Sequence, residues 1–479
     1  MSTAEIGRFD GDWDLLVKVS IPGLTDSATG TLEFRSGASI TLKIVDAPPE
    51  GVGIVQGLPN IVYPEISGMD NHGRAVTMYD CFMSSSSSSI AGGFTRKEFV
   101  VNAVIIGIPP NKFDEIVYKR IVFSLSGIEE WIGHGAFRPT IPVHNESSID
   151  SSLKAWAIEV RGESYPIREL PIEDGAVGIS GSMSFRDRDL DTIRLVSKVS
   201  NWVRLENPAC AERLVSRAMG LQTIFSLAAR RYLAPSSMTL FRDLEGTSGE
   251  RGSTFVALYA SASSEPESAT DFSIPFVEVV DRMGDLLDQY TRLGEPASTL
   301  AGVLLSGRHG KILSDYGFLV TIAAIEGFHR SQFPGQYVGE KEFDNISSAL
   351  NESIPKGIPA PLRERLKSAI KFSNEPSLRS RLGTMFREEL GESVVSRIVG
   401  DPGKYIHSVV STRNDLAHQL PEKSGIPHGE KMHYAYESVK YISRIYLLNK
   451  IGIPIDVIDS ILEKSRQITL IRNKLESIY

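Results

Sequence analysis

From Trp13 to about Val203 the apolar positions come in short runs that alternate with polar ones, the two-residue period of half-buried strands. Leu32–Val45 reads as two such runs around a Ser-Gly turn. Ile61–Tyr79, Phe99–Ile108, Ile121–Leu125, Ala155–Val160, Val177–Phe185 and Ile193–Val199 supply further strands, punctuated by Gly, Pro, Asn and Asp. Many short strands with frequent turns predict an antiparallel sandwich or a partial barrel. The serine run Ser84–Ser89 reads as a solvated loop between strands.

The period changes near Glu206. Glu212–Leu233 repeats every three to four residues, as a helix does, and Met238–Phe241 with Thr254–Tyr259 reads as a last strand pair. From Phe276 onward the pattern is helical: Phe276–Leu293, Leu313–Phe333, Pro361–Phe372, Leu378–Glu389, Tyr405–His418, Gly429–Asn449 and Ile455–Ile478. In Gly429–Asn449 the stripe Met432, Ala435, Val439, Ile442 and Tyr446 is set to bury against neighbours. The expected architecture is a multidomain α+β chain: a β-rich domain over 1–205, a helix and strand-pair connector over 206–270 packed on it, and a helical bundle over 271–479.

Composition narrows the class. A chain of 479 residues with 41% hydrophobic and 23% charged residues is an ordinary globular protein of two or three domains. A net charge of −8 argues against non-specific coating of nucleic acid, while leaving room for a local basic track. Cys81 and Cys210 form no CxxC or zinc spacing, so a reducing cytoplasm is expected and no metal or cofactor is called for. The first ten residues lack a basic region followed by an apolar core, and the apolar stretch Phe318–Ile325 is too short to span a bilayer, so no membrane is expected.

The candidate chemistry lies in Arg413-Asn414-Asp415-Leu416-Ala417-His418, at the end of a predicted helix that Pro421 stops. Asn414 and His418, four apart, share a helix face, and Arg413 lies one step round. A histidine can move the proton of a ribose 2′-hydroxyl or of the leaving oxygen. A guanidinium can hold the charge that develops on the phosphorus oxygens. The plainer reading is an exposed helix end whose arginine pairs with a neighbouring acid. Glu326, in an otherwise apolar helix, needs a partner if buried; Arg330, one turn on, would serve structurally, and a supporting role beside the Arg/His pair is the alternative. Arg363, Arg365, Lys367, Lys371, Arg379 and Arg381 belong to a basic concentration that is either a solvated face or a phosphate track.

These residues resemble a known family. An Arg, a polar residue and a His at the end of a late helix, after an earlier helix with an embedded Glu, resemble the HEPN domain of ApeA-like proteins. Phe9-Asp-Gly-Asp-Trp13, Gly30-Thr-Leu-Glu-Phe34, the block Ile66–Cys81, Val100–Gly107 and Leu125–Trp131 follow the order of ApeA amino-terminal domains. The resemblance implies a HEPN endoribonuclease of anti-phage defence (abortive infection) that cleaves RNA, with tRNA a substrate, without a metal and leaves a 2′,3′-cyclic phosphate. It further implies a homodimer with facing Arg/His sets, restrained by the β domain until a phage protein or other trigger arrives. Arg413, His418 and Asn414 take the family's catalytic positions, with Asp415 as a supporting group. The alternative is a non-catalytic HEPN dimerisation scaffold with a protein-recognising β domain. A carbohydrate-binding sandwich finds no cluster of aromatics to support it.

Overall fold

The computed structural model describes residues 13–21, 25–35, 40–45, 62–88, 95–101, 103–107, 117–132, 138–140, 159–161, 168–189, 192–243, 250–257, 273–306, 314–418, 427 and 429–476. The first six strands are β1 (Trp13–Ile21), β2 (Thr25–Phe34), β3 (Ile40–Val45), β4 (Val62–Asp70), β5 (Ala75–Ser88) and β6 (Thr95–Val101). They close into an antiparallel barrel, because β5 pairs with both β4 and β6. Alternation decides which side chains fill it: Leu15, Val17, Val19 and Ile21 are buried, and Leu16 between them is exposed. Opposite them Leu32 faces Leu15 and Ala28 faces Val19.

The β4–β5 turn is fixed by one carboxylate. Asp70 accepts the His72 and Arg74 backbone N–H groups at 2.9 and 2.8 Å and the Arg74 Nε at 2.7 Å. Burial pushes its pKa up, but those hydrogen bonds outweigh it and hold the carboxyl below the usual range. Gly68 lies where β1 passes so closely that a Cβ would stand 2.3 Å from the Lys18 carbonyl oxygen.

Ser84–Ser88 of the serine run is strand rather than loop, and Ser89 lies outside the described residues. β5 continues through Ser88 and pairs with β6 in the register Ser85↔Glu98 to Ser88↔Thr95, and the Ser84 hydroxyl donates to the Glu98 carbonyl at 3.1 Å. Closing the barrel supplies ladder partners that composition does not reveal.

β7 (Ala103–Ile106) pairs with β5 and carries the sheet onward. It is followed by β8 (Tyr118–Leu125), α1 (Ile128–Ile132), the short pair β9 (Arg138–Thr140) and β10 (Glu159–Arg161), then β11 (Arg168–Ile172), β12 (Gly175–Asp189), β13 (Thr192–Ala209), α2 (Ala211–Ala229), β14 (Pro235–Asp243) and β15 (Glu250–Ala257). Beyond β7 the order is β15-β14-β8-β13-β12-β11. The stretch expected as a connector is therefore integral: β14 and β15 sit between β7 and β8, and α2 lays Leu214, Ala218 and Leu221 on the sheet.

The chain divides into two compact units, one of Met1–Ala269 with Pro275–Asp288 and one of Gln289–Tyr479 with Thr270–Ile274. α3 (Phe276–Val280) belongs to the first, and α4 (Met283–Ser306) crosses the division, kinked at Gly294 with φ +64°. The helical unit continues with α5 (Ser314–Gln332), α6 (Glu340–Glu352), α7 (Ala360–Lys371), α8 (Leu378–Gly383), a π-helical turn over Thr384–Glu389, α9 (Glu392–Val399), α10 (Pro402–His418), α11 (Glu430–Ile451), α12 (Ile455–Lys464) and α13 (Arg466–Glu476). α11 is its centre. Met432, Ala435, Val439, Ile442, Ile445 and Tyr446 are all buried, and α5 approaches so closely at Gly317 that a Cβ there would stand 2.5 Å from the Tyr436 ring. The fold is thus α+β, a β-rich domain holding a six-stranded barrel followed by a helical region.

Candidate active site

α10 is built to present its last turn. Asp401 starts it by accepting the Gly403 and Lys404 N–H groups at 2.8 and 3.0 Å, which holds its carboxyl below the usual range, and Pro402 takes the first helical position. Tyr405, Ile406, Val409 and Thr412 form the buried face, and the Tyr405 hydroxyl meets Ser438 Oγ of α11 at 2.9 Å. Asp415, one turn after Thr412, extends that face and is 9% exposed. Arg413 is half-buried, Asn414 is exposed, and Arg413 Nη1 donates to Asn414 Oδ1 at 3.2 Å. The helix runs unbroken to His418, so Arg413 and His418 are separated by about 7.5 Å along the axis at 1.5 Å per residue. Asn414 and His418 fall on one face by helical geometry. Pro421 lies outside the described residues.

Glu326 pairs along its own helix. It lies on the shoulder of α5, its side chain 19% exposed, with Arg330 donating to it at 3.2 Å, and Arg330 is shared with Glu375 at 2.5 Å. Among the described residues no hydrogen bond links Glu326 to Arg413, Asn414 or Asp415. The apolar run around it predicted burial, yet the buried ionisable residue of α5 is His329, three positions on.

His329 opens a network the sequence reading missed. Arg381 of α8 is fully enclosed and donates through Nη1 to His329 Nδ1 at 3.3 Å and to the Phe333 carbonyl at 2.7 Å, and through Nη2 to the Pro334 carbonyl at 3.1 Å. A guanidinium cannot accept, so Nδ1 accepts and the Nε2 proton is left for Glu389 Oε1, 3.2 Å away. Glu389 also takes the Tyr446 hydroxyl at 2.7 Å and an ion pair from Lys450. Burial pushes the pKa of this carboxyl up, but its three donors bring it down to about 2. The one sequence signal was Glu389 itself, a charge in a stretch that ends in buried Met385, Phe386 and Leu390.

Arg381 is accordingly removed from the expected phosphate track: 1% exposed, it holds the bundle together and faces no solvent. Arg379 donates to His407 Nδ1, Arg363 to the Lys356 carbonyl, Lys367 pairs with Glu364 at 3.1 Å, and Lys371 lies over the Phe372 ring. Arg365 is exposed on α7. These cations belong to different elements and partners, and α7 lies beside α6 with its opposite charge.

Among the described residues no three His, Cys, Asp or Glu side chains converge to hold a metal ion, and no helix is long and apolar enough to cross a membrane.

A β barrel with a sheet extension and a helical unit whose late helix ends in Arg413, Asn414 and His418 define a two-part architecture of β module and helical effector. The chain belongs to the ApeA family: the model of ApeA N-terminal domain 1 matches residues 8–290, and that of the Apea-like HEPN domain matches residues 319–456. HEPN is generally a ribonuclease fold, its domains commonly dimerise and act on RNA, and the architecture is consistent with a nuclease of anti-phage defence. No curated protein and no solved structure matches the chain.

Proposed function

We propose that the protein is an endoribonuclease that cleaves RNA, tRNA among its substrates, by attack of a ribose 2′-hydroxyl on the adjacent phosphorus. The observation that carries this reading is the end of α10: a buried, capped helix holds an arginine and an exposed amide next to each other, with a histidine five residues beyond the arginine. Such a rigid mount limits the motion of catalytic groups. In the reaction His418 moves a proton, either from the 2′-hydroxyl or to the departing 5′-oxygen, and Arg413 holds the charge that develops on the phosphorane oxygens. Asn414 orients the guanidinium, to which it is already bonded. The products are a 2′,3′-cyclic phosphate and a 5′-hydroxyl end.

One Arg/His set supplies one proton carrier, whereas in-line transesterification uses a base on one side of the phosphate and an acid on the other. A homodimer with two sets facing each other completes the chemistry. The β domain restrains the nuclease until a trigger, such as a phage protein, relieves it. Expression of the chain and of Arg413→Ala, followed by sequencing of cellular RNA ends, tests the reading. New 5′-hydroxyl ends that depend on Arg413 are expected. Identical RNA profiles would leave the HEPN domain a scaffold.

A further inference from the structure

α6 and α7 form a hairpin unlike the rest of the helical unit, because neither helix contains a buried residue. Both are nevertheless amphipathic. On α6, Phe343, Ile346 and Leu350 recur at three- and four-residue spacing, and on α7 Leu362, Leu366 and Ile370 do the same. Ile346, Leu350, Leu362 and Leu366 are 41, 46, 45 and 38% exposed. An isolated exposed leucine needs no explanation, but two helices that both leave their apolar stripe in water do.

The charges say what covers the stripes. α6 carries Glu340, Glu342, Asp344 and Glu352 against Lys341, a net of −3. α7 carries Arg363, Arg365, Lys367 and Lys371 against Glu364, a net of +3. At 100° per residue, Glu340 and Glu342 flank the α6 stripe on its two sides, and Arg363 and Arg365 flank the α7 stripe in the same way. Among the described residues no ion pair joins α6 to α7, so the opposite charges are not spent within the hairpin. A surface with one acidic and one basic amphipathic helix is complementary to itself under a two-fold rotation, which sets α6 of each copy on α7 of the other.

We propose that the α6–α7 hairpin is a self-association surface whose occupant is the same hairpin of a second copy of this chain. Leucine and isoleucine stripes meet at the centre of the seam, and Glu340 and Glu342 of one protomer lie against Arg363 and Arg365 of its partner. Helices of 13 and 12 residues are about 20 and 18 Å long, so the seam is at the small end of specific interfaces and association is reversible and dependent on concentration. Phosphate binding by α7 is the competing use of the same cations; the acidic neighbour and the apolar stripe favour protein. The inference shares with the ribonuclease reading only the need for a second copy and stands without any cleavage.

The test measures the mass of the full chain by sedimentation velocity across a concentration series, without RNA. Two charge-reversed chains are compared with the wild type: Glu340→Lys with Glu342→Lys, and Arg363→Glu with Arg365→Glu. No substituted residue is buried, so each chain keeps its fold, which circular dichroism verifies. Each reversed chain presents like charges at both seams and self-associates at least about tenfold more weakly. Mixed one to one, the two reversed chains restore opposite charges at both seams and associate again. A wild-type chain that stays monomeric, reversed chains that associate as the wild type does, or a mixture that fails to re-form the complex would each overturn the proposal. So would loss of RNA binding in the Arg363/Arg365 chain with its mass unchanged, which assigns the surface to nucleic acid. Inactivity toward RNA in a chain that passes the mixing test would count against the ribonuclease reading alone.

Discussion

The Tyr446 hydroxyl donates to Glu389 at 2.7 Å, joining the central helix α11 to the π-helical turn 57 residues earlier in the chain. The same carboxylate receives His329 and Lys450, so one acid ties together α5, α8 through His329 and Arg381, and α11. Three donors around one half-buried acceptor keep it ionised, and burial together with that acceptor raises the Tyr446 hydroxyl's own pKa.

That arrangement sets a pH dependence. The Glu389 pKa is depressed in the folded chain from an ordinary 4.5 to about 2, so the unfolded chain binds its proton first as pH falls. The stabilisation is complete above pH 4.5 and is lost as pH drops toward 2, an effect of at most roughly 3 kcal/mol. Thermal melts of wild type and Glu389→Gln from pH 7 to pH 2.5 should show a gap that narrows only below pH 4.5. A gap constant across that range would contradict the assignment.

Arg381 and Arg365 should behave as opposites although the sequence treats them alike. Arg381→Ala leaves the Phe333 and Pro334 carbonyls and His329 Nδ1 without their donor and should cost about 3–5 kcal/mol in urea unfolding. Arg365→Ala, on an exposed helix, should stay within about 0.5 kcal/mol.

Arg413→Ala and His418→Ala should each abolish RNA cleavage while shifting the melting temperature little, since Arg413 is bonded only to its neighbour Asn414 among the described residues. Asn414→Ala should lower the rate less than either, because it orients a charge and carries none. Cleavage at the wild-type rate by His418→Ala would remove the histidine from the mechanism.

Cleavage should persist in excess EDTA and yield cyclic phosphate ends, because histidine supplies the proton transfer and arginine the charge stabilisation. A strict requirement for a divalent ion, or 3′-hydroxyl products, would replace this chemistry with another.

What the sequence determined by itself is what depends on neighbours along the chain. The two-residue period gave strands such as β1 to β3, and the three-to-four period gave α5, α10 and α11, because burial on one face imposes those repeats. Arg413, Asn414 and His418 were legible as a set because helical spacing alone brings them to one helix end. α6 was not legible: its stripe of Phe343, Ile346 and Leu350 is thin, interrupted by serines and acids, and buries nothing. Only the tertiary structure decided which apolar stripes are spent. The stripes of α10 and α11 are consumed within the bundle, while those of α6 and α7 remain in water. Only contacts between distant segments gave Ser85–Ser88 a partner strand in β6, turned Arg381 from a track residue into a core one, and made His329 rather than Glu326 the buried ionisable group of α5. A side chain's surroundings are set by segments tens of residues away, and no local period encodes them.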